Sequence, residues 1–217
     1  MTERRVRRDG IGVGLATGAY GISFGALASA AGLSVPQAAA LSLLMFTGGS
    51  QFALVGVAGA PMTGAATAVL LGTRNALYGL RLSGLLEVSG WRRAVTAQLV
   101  IDESSAMAIG QEHDSHLARL AFWWTGLSVF VCWNVATVLG ALGAEALDDP
   151  AVLGLDAAAP AAFVALLAPR LRSREPWAVA LGAAAVAIAV TPVVPAGTPV
   201  LCAAVVAVAV GLRREQA

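Results

Sequence analysis

The sequence has little charge, and what it has is clustered. Only 12% of its 217 residues are charged and 58% are hydrophobic, whereas soluble domains carry roughly 25% charged residues. This supply is too small to cover a water-facing surface, which argues against a soluble fold. Three long stretches contain no Asp, Glu or Arg: those between Asp9 and Arg74, between Arg119 and Glu145, and between Glu175 and Arg213.

Several residue types are scarce or missing. Lys is absent, and the net charge of +1 argues against a nucleic-acid role because no basic face accompanies it. The two cysteines, Cys132 and Cys202, lie in apolar segments, which favours packing roles over a disulfide or a metal pair. The two histidines, His113 and His116, lie in the polar run 112–116, whose composition favours a solvated loop over a metal cluster.

No enzymatic motif is convincing. The run from Gly48 to Ser50 suggests an intramembrane serine hydrolase, but that chemistry needs a general base at membrane depth, and both histidines lie in the polar loop. A phosphate-binding loop is also missing. We therefore predict no enzyme activity, no cofactor and no metal site.

The apolar runs predict membrane-spanning helices. A bilayer core about 30 Å thick needs roughly 20 apolar residues per helix. The runs are continuous and rich in Ala, Leu and Gly, which favours packed helices over the alternating strands of a membrane barrel. We predict one all-α transmembrane domain over residues 1–217. The candidate spans are 11–31, 37–58, 62–80, 94–110, 120–143, 157–169, 177–194 and 198–212.

The first candidate span resembles a secretory signal, because it follows four arginines at positions 4–8. Its apolar run is longer than a signal core and further spans follow, so we predict a retained helix. It is also rich in glycine. The spacings Gly14-xxx-Gly18 and Gly21-xxx-Gly25 are typical of helices that pack closely on one another.

The arginine clusters predict the orientation. Basic loops lie in the cytoplasm, and eight crossings place the arginines of 4–8, 170–174 and 213–214 there, with both termini inside. The loop of Arg81 and 92–93 then falls outside. If 62–80 and 94–110 both turn back to the cytoplasmic side, that loop moves inside and the other segments keep their sides. Eight spans, or six spans with two re-entrant segments, therefore stay open.

Three short polar clusters lie at bilayer depth. The first is in the middle of segment 37–58, where two adjacent glycines weaken the helix by about 1 kcal/mol each. Broken helices of this kind build solute sites in transporters; a close helix–helix contact is the alternative. We predict a break and a substrate-binding role for Gly48, Gly49, Ser50 and Gln51.

The second cluster centres on Arg74, about twelve residues into its segment. An arginine at that depth costs at least a few kcal/mol and is usually paired or facing water. We predict that Arg74, Asn75 and Tyr78 contact the substrate, with Tyr78 one helical turn beyond Arg74 on the same face. The alternative is an interfacial segment whose arginine reaches lipid headgroups.

The third cluster is Asp102 and Glu103, followed by two serines. Adjacent carboxylates on a helix point about 100° apart, so at most one faces a given partner. One of them is expected to pair with Arg74, and the other to carry an ion, since burial favours the protonated form of a carboxyl group. A purely structural Arg–Asp pair stays open as the alternative.

These clusters, together with flanking motifs, resemble the AzlC family, the larger subunit of bacterial branched-chain amino acid exporters. The matching pieces cover about residues 11–170. They are Gly21-Ile-Ser-Phe-Gly-Ala-Leu-Ala, Pro36 to Ser42, Phe46 to Phe52, Arg74-Asn-Ala-Leu-Tyr-Gly, Asp102-Glu-Ser, Leu153-Gly-Leu-Asp and Pro160-Ala-Ala-Phe.

The resemblance implies export of branched-chain and related apolar amino acids across the bacterial cytoplasmic membrane. It also implies a small membrane partner similar to AzlD, with a proton as the expected coupling ion. Two other functions stay open: transport of another small solute on the same scaffold, and a structural membrane subunit in which Arg74 and Asp102 or Glu103 only lock helices together.

Overall fold

The computed structural model describes residues 1–56, 61–146, 171–194 and 198–215, with the single positions 164, 167 and 168. All regular secondary structure in these ranges is helical, as predicted. The helices are α1 Glu3–Gly18, α2 Tyr20–Ala30, α3 Val35–Leu44, α4 Gly48–Val55, α5 Pro61–Leu86, α6 Arg92–Gln98, α7 Asp102–Ile109, α8 Ser115–Glu145, α9 Arg174–Val190 and α10 Thr198–Glu215.

The first two helices form a nearly continuous rod that packs along α8. Five glycines face α8 at its closest approaches. A Cβ added at Gly14 would lie 2.4 Å from Ser128 Cβ, and one added at Gly25 would lie 1.9 Å from the carbonyl oxygen of Thr137. Residue numbers rise together along the contact, so the rod and α8 run parallel. Their N-terminal ends meet where His116 contacts Glu3 at 3.0 Å.

These contacts define two sides of the bundle. The N-terminal side is the one that holds Glu3 and His116. The far side holds Val35 and Glu145, whose backbone N–H and carboxylate are 3.3 Å apart. The parallel packing means that the rod and α8 both run from the N-terminal side to the far side, as the predicted orientation requires of the first and fifth segments.

Helices α3 and α4 form a hairpin, hairpin 1, that enters from the far side. The hydroxyl groups of Ser42 and Thr137 are 3.3 Å apart, and the rings of Phe46 and Phe130 meet edge to face with centroids 5.0 Å apart. Residue numbers rise along α3 as they fall along α8, so α3 runs antiparallel to α8 as far as the middle of the bundle. The Gln51 amide then donates back to the carbonyl of Ser42 at 3.4 Å. Nine residues of continuous helix span about 14 Å, beyond the reach of a glutamine, so the chain must reverse between them.

Helix α5 returns the chain to the N-terminal side. It starts beside α4, where a Cβ at Gly64 would lie 2.9 Å from the carbonyl oxygen of Leu54. At its other end Arg81 pairs with Glu112, and Glu87 pairs with Arg119 at 3.0 Å. Its 26 residues extend about 39 Å, which is long enough to cross a bilayer core.

Helices α6 and α7 form hairpin 2, which enters from the N-terminal side. Its turn, residues 99–101, lies at mid-depth, where a Cβ at Gly126 would be 3.2 Å from Leu99 Cβ. Helix α7 then runs back, and Met107 packs against Val6 and Leu117. The chain therefore enters α8 on the side from which α6 left.

Both sequence-based arrangements need correction at segment 37–58, and each of them holds at only one of the segments 62–80 and 94–110. Segment 37–58, predicted as a crossing helix, is broken as expected but turns back as hairpin 1. Segment 94–110 is re-entrant, as one of the two arrangements had it. Segment 62–80, re-entrant in that arrangement, is one continuous helix that passes from side to side. Because Arg81 lies on the N-terminal side, the basic loop that contradicted the eight-span arrangement lies on the same side as the arginines of α1.

The later helices complete the described part. Helices α9 and α10 pack against each other, and α10 also touches α5. Segment 157–169 lies outside the continuously described ranges. By length and composition alone, two stretches of the described chain are suited to cross a membrane, Glu3–Ala30 and Ser115–Glu145.

Candidate functional site

The tips of the two hairpins meet near the middle of the bundle. Gln98, at the end of α6, donates its side-chain amide to the carbonyls of Leu43 at 2.8 Å and Leu44 at 3.4 Å. These carbonyls belong to the last turn of α3, where a helix leaves its acceptors without partners. One side chain of hairpin 2 therefore caps hairpin 1, and the two breaks lie side by side.

The tip of hairpin 1 is held by side chains of α4. Gln51 is fully buried, and its amide nitrogen lies 3.5 Å from the carbonyl of Leu41 and 3.4 Å from that of Ser42. Thr47, just before α4, donates to Ser50 at 3.4 Å. These hydrogen bonds provide partners for backbone and hydroxyl groups that the break in the helix would otherwise leave without one.

The tip of hairpin 2 is held by a single hydroxyl. Ser104 is fully buried; its oxygen donates to the carbonyl of Leu99 at 2.6 Å and accepts from the backbone N–H of Ile101 at 3.2 Å. Both groups belong to the non-helical turn. Ser104 thus closes the turn that positions the first residues of α7.

The central charges form an ion pair. Arg74, midway along α5, places Nη2 2.9 Å from Oδ2 of Asp102, and their side chains are 30% and 25% exposed. Asp102 is the first residue of α7, where the positive end of the helix dipole favours a carboxylate. The predicted pairing of Arg74 with one acidic residue of 102–103 is present, and Asp102 is the partner.

A small cavity surrounds this ion pair. It has a volume of about 50 Å³, room for roughly one or two water molecules at the volume that water occupies in the liquid. Four helices and both hairpin tips line it, through Thr17, Tyr20, Phe46, Thr47, Gly48, Gly49, Phe52, Arg74, Asn75, Ile101, Asp102, Glu103, Val129 and Trp133.

The two glycines of hairpin 1 explain how the cavity is closed. A Cβ at Gly49 would lie 3.2 Å from Nη2 of Arg74, and one at Gly48 would lie 3.0 Å from Cη2 of Trp133. Any larger residue would push one of these side chains away. The start of α4 therefore lies between a cation on α5 and an aromatic ring on α8, with its first N–H groups unpaired within the helix.

Several polar atoms at the site are buried but have no hydrogen-bond partner among the described residues. They are Nε of Arg74, Oδ1 of Asn75 and Nε1 of Trp133. Buried polar atoms in proteins are nearly always bonded, so each exception calls for an explanation such as water or a ligand. Together they provide two donors and one acceptor in addition to the ion pair.

Six of the nine predicted site residues line the cavity: Gly48, Gly49, Arg74, Asn75, Asp102 and Glu103. The other three lie elsewhere. Ser50 and Gln51 are buried within hairpin 1, and Tyr78 packs against the hydrophobic core. Substrate contact by the seven residues of the first two clusters, and ion coupling by Asp102 and Glu103, stay predictions.

Sequence reasoning missed the apolar wall. Phe46, Phe52, Val129 and Trp133 line the cavity, yet nothing in an apolar helix separates them from ordinary core residues. Trp133 carried the only usable signal, a tryptophan in the middle of a charge-free segment rather than at its end, where interfacial tryptophans belong.

The other chemistry-bearing residues lie apart from this cavity. Cys132 and Cys202 are both free. Within the described ranges, no three or more His, Cys, Asp or Glu side chains form a group that could hold a metal ion.

Comparison with known proteins identifies one family. Residues 12–147 match the family model described as AzlC protein, a stretch that contains both hairpins and every residue of the cavity. No curated protein and no solved structure matches the chain.

Proposed function

Because the chain belongs to the AzlC family, a family associated with membrane transport, we propose that it exports branched-chain or related apolar amino acids across the bacterial cytoplasmic membrane. In this proposal it is the large subunit of a two-component secondary transporter, and a small AzlD-like membrane protein is its partner. The N-terminal side, which carries the arginines of α1 and Arg81 of α5, faces the cytoplasm.

The observation that carries the proposal is the cavity between the hairpin tips. A zwitterion needs one cation and one anion within a few ångströms of each other, and Arg74 and Asp102 provide them. The substrate carboxylate binds Arg74 and the first N–H groups of α4, since a helix N-terminus attracts anions. The substrate ammonium group binds Asp102 or Glu103.

Without substrate, the two charges neutralise each other. An unpaired charge at this depth is costly, so the ion pair keeps the empty site stable. A zwitterion replaces one internal ion pair with two intermolecular ones, so no charge becomes uncompensated at any stage. The proposed ion-coupling residue is Asp102 or Glu103, and the proposed coupling ion is a proton.

The cavity admits only part of an amino acid. Its volume of about 50 Å³ corresponds to a few non-hydrogen atoms, comparable with the polar head of an amino acid. Entry of a leucine side chain therefore requires a hairpin tip to move away from α5 or α8. Such a movement opens the site to the side from which that hairpin enters, as alternating access demands.

Transport by purified protein tests the proposal. The chain and its small partner are reconstituted in vesicles, and efflux of labelled leucine, valine and methionine is measured with and without a pH gradient. We expect saturable efflux of all three, which lysine does not inhibit. Absence of efflux, or equal efflux from vesicles that lack the protein, would overturn the proposal.

A matched pair of variants tests the site itself. Arg74→Gln removes the cation of the cavity, and we expect efflux to fall at least about a hundredfold, since losing a charged hydrogen-bond partner costs roughly 3 kcal/mol. Arg81→Gln makes the same change seven residues on, where the exposed pair with Glu112 contributes little, and should transport normally. Equal activity of the two variants would contradict the site.

The structural alternative makes a different prediction for the same ion pair. If Arg74 and Asp102 only lock α5 to α7, Arg74→Asp alone lowers the amount of protein in the membrane, and the double change Arg74→Asp, Asp102→Arg restores both abundance and efflux. A substrate site predicts restored abundance without efflux, because the cation then lies on the wrong helix relative to α4.

A further inference from the structure

The lining of the cavity is divided between two groups of elements. The charged and amide groups, Arg74, Asn75, Asp102 and Glu103, belong to α5 and α7. The large apolar side chains of the lining, Phe46, Phe52, Val129 and Trp133, belong to hairpin 1 and α8, and Ile101 belongs to the turn of hairpin 2. A substrate held by its charged head at α5 and α7 therefore directs its side chain towards hairpin 1 and α8.

Trp133 is the largest side chain of this apolar wall, and two aromatic rings hold it in place. It is only 5% exposed. Its ring stacks on Phe24 at 6.3 Å with an interplanar angle of 23° and meets Phe52 edge-on at 6.3 Å. A ring fixed on both sides has little freedom to turn away from an incoming group.

Trp133 also limits the space at the tip of hairpin 1. Its Cη2 atom would be 3.0 Å from a Cβ at Gly48, so indole and backbone are in contact when the tip is closed. In the proposed transport cycle the tip of hairpin 1 moves away from α8, whereas the indole is held by Phe24 and Phe52. The ring therefore sets the far limit of the space that opens between α4 and α8.

We propose that Trp133 is the specificity-determining residue of the site, and that its indole sets the largest side chain a transported amino acid can carry. The inference rests on the proposed function, because it assumes that an amino acid occupies the cavity. Gly48 complements Trp133: once the tip of hairpin 1 moves away from α8, the missing side chain at Gly48 leaves more of the opened space to a branched aliphatic group.

The test compares transport of amino acids of increasing size in the reconstituted complex. Rates are measured for labelled alanine, valine, leucine and phenylalanine, and the readout is the ratio of phenylalanine to valine transport. In Trp133→Phe the smaller ring leaves space, and we expect this ratio to rise about tenfold, the discrimination that a small change in pocket volume provides. Trp124→Phe, the same change on α8 at a residue outside the cavity, should leave the ratio unchanged.

A second variant is expected to lower the size limit on the side chain of a transported amino acid. Gly48→Ala narrows the space against the indole, and we expect the ratio of leucine to alanine transport to fall. An unchanged phenylalanine-to-valine ratio in Trp133→Phe, in a complex that still transports valine, would overturn the inference and leave the proposed function standing. If the unmodified complex transports none of the four amino acids, the proposed function itself is wrong.

Discussion

At the scale of single residues, the glycines of the first helices have the clearest structural role. Gly25 faces the backbone of α8 so closely that a Cβ would lie 1.9 Å from the carbonyl oxygen of Thr137, whereas Gly12, on the same rod, has nothing within 4 Å of that point. The spacing Gly21-xxx-Gly25 predicted this packing from the sequence, because small residues four apart lie on one helix face.

This pair of glycines provides a stability prediction. Gly25→Ala must separate the rod from α8, and we expect a loss of about 1–3 kcal/mol, the usual cost of overpacking. Gly12→Ala should be neutral or slightly stabilising, since alanine favours helix by about 1 kcal/mol over glycine. Thermal unfolding of the two variants in detergent measures the difference. Equal melting temperatures would contradict the close parallel packing.

The charged residues of the site were predictable because charged side chains are rare within apolar segments. Arg74 and Asp102 lie in otherwise apolar segments that the sequence predicts to be in the membrane, where an uncompensated charge is costly, so their presence alone indicates a partner. Trp133 is different. An aromatic side chain in an apolar helix follows the ordinary pattern, and its contact with Gly48 joins residues that are distant in the chain. The sequence pattern of a single helix does not predict such a contact.

At the scale of elements, the two hairpins have similar construction. Each consists of two short helices around a non-helical turn, and a polar side chain from the returning helix bonds backbone groups that precede it, in the entering helix of hairpin 1 and in the turn of hairpin 2. Gln51 does this in hairpin 1 and Ser104 in hairpin 2. Each hairpin is followed by a long helix, α5 or α8, and the two units enter from opposite sides, as in the inverted repeats of many transporters.

The turn of hairpin 2 can be tested with adjacent serines. Ser104→Ala removes both bonds that close the turn, leaving a buried N–H and carbonyl unsatisfied, and we expect a loss of about 1–3 kcal/mol together with reduced transport. Ser105 is 2% exposed, but its hydroxyl has no partner in the part of the chain that the structure describes. Ser105→Ala should therefore be nearly neutral in melting temperature and in transport.

A hairpin and a spanning helix look alike in sequence, which explains the segments that were predicted wrongly. Hairpin 1 occupies about as many apolar residues as one crossing, so hydropathy cannot separate the two. The break at Gly48 was visible because adjacent glycines weaken a helix. The reversal was not, since it is established by a bond from Gln51 to a carbonyl nine residues earlier, which no local pattern predicts.

At the scale of the whole molecule, the contacts fix which loops share a side. The pairs Arg81–Glu112 and Arg119–Glu87 join the end of α5 to the start of α8, and Glu3 joins the same region through His116. Charge patterning had indicated that one basic loop conflicts with eight crossings. It did not indicate which segments turn back. If one re-entrant segment is exchanged for another, every later segment still begins and ends on the same side of the membrane.

Labelling of single cysteines tests this arrangement. In a background of Cys132→Ala and Cys202→Ala, we expect Ser89→Cys and Thr2→Cys to react with a membrane-impermeant maleimide from the same side. Ser34→Cys, before α3, should react only from the other side. If Ser89→Cys reacts together with Ser34→Cys, α5 does not return the chain to the N-terminal side, and the position assigned to hairpin 2 is wrong.

The parallel pairing of the rod with α8 also has a consequence for biosynthesis. The bond from Ser29 to the carbonyl of Ala141 joins residues 112 positions apart. During synthesis the glycine face of the first helix therefore enters the bilayer long before its partner exists, and lipid or the insertion machinery must cover it in the interval. The fold closes only when α8 emerges, so a chain interrupted before Ser115 retains an uncovered first helix, the form that membrane quality control would recognise and degrade.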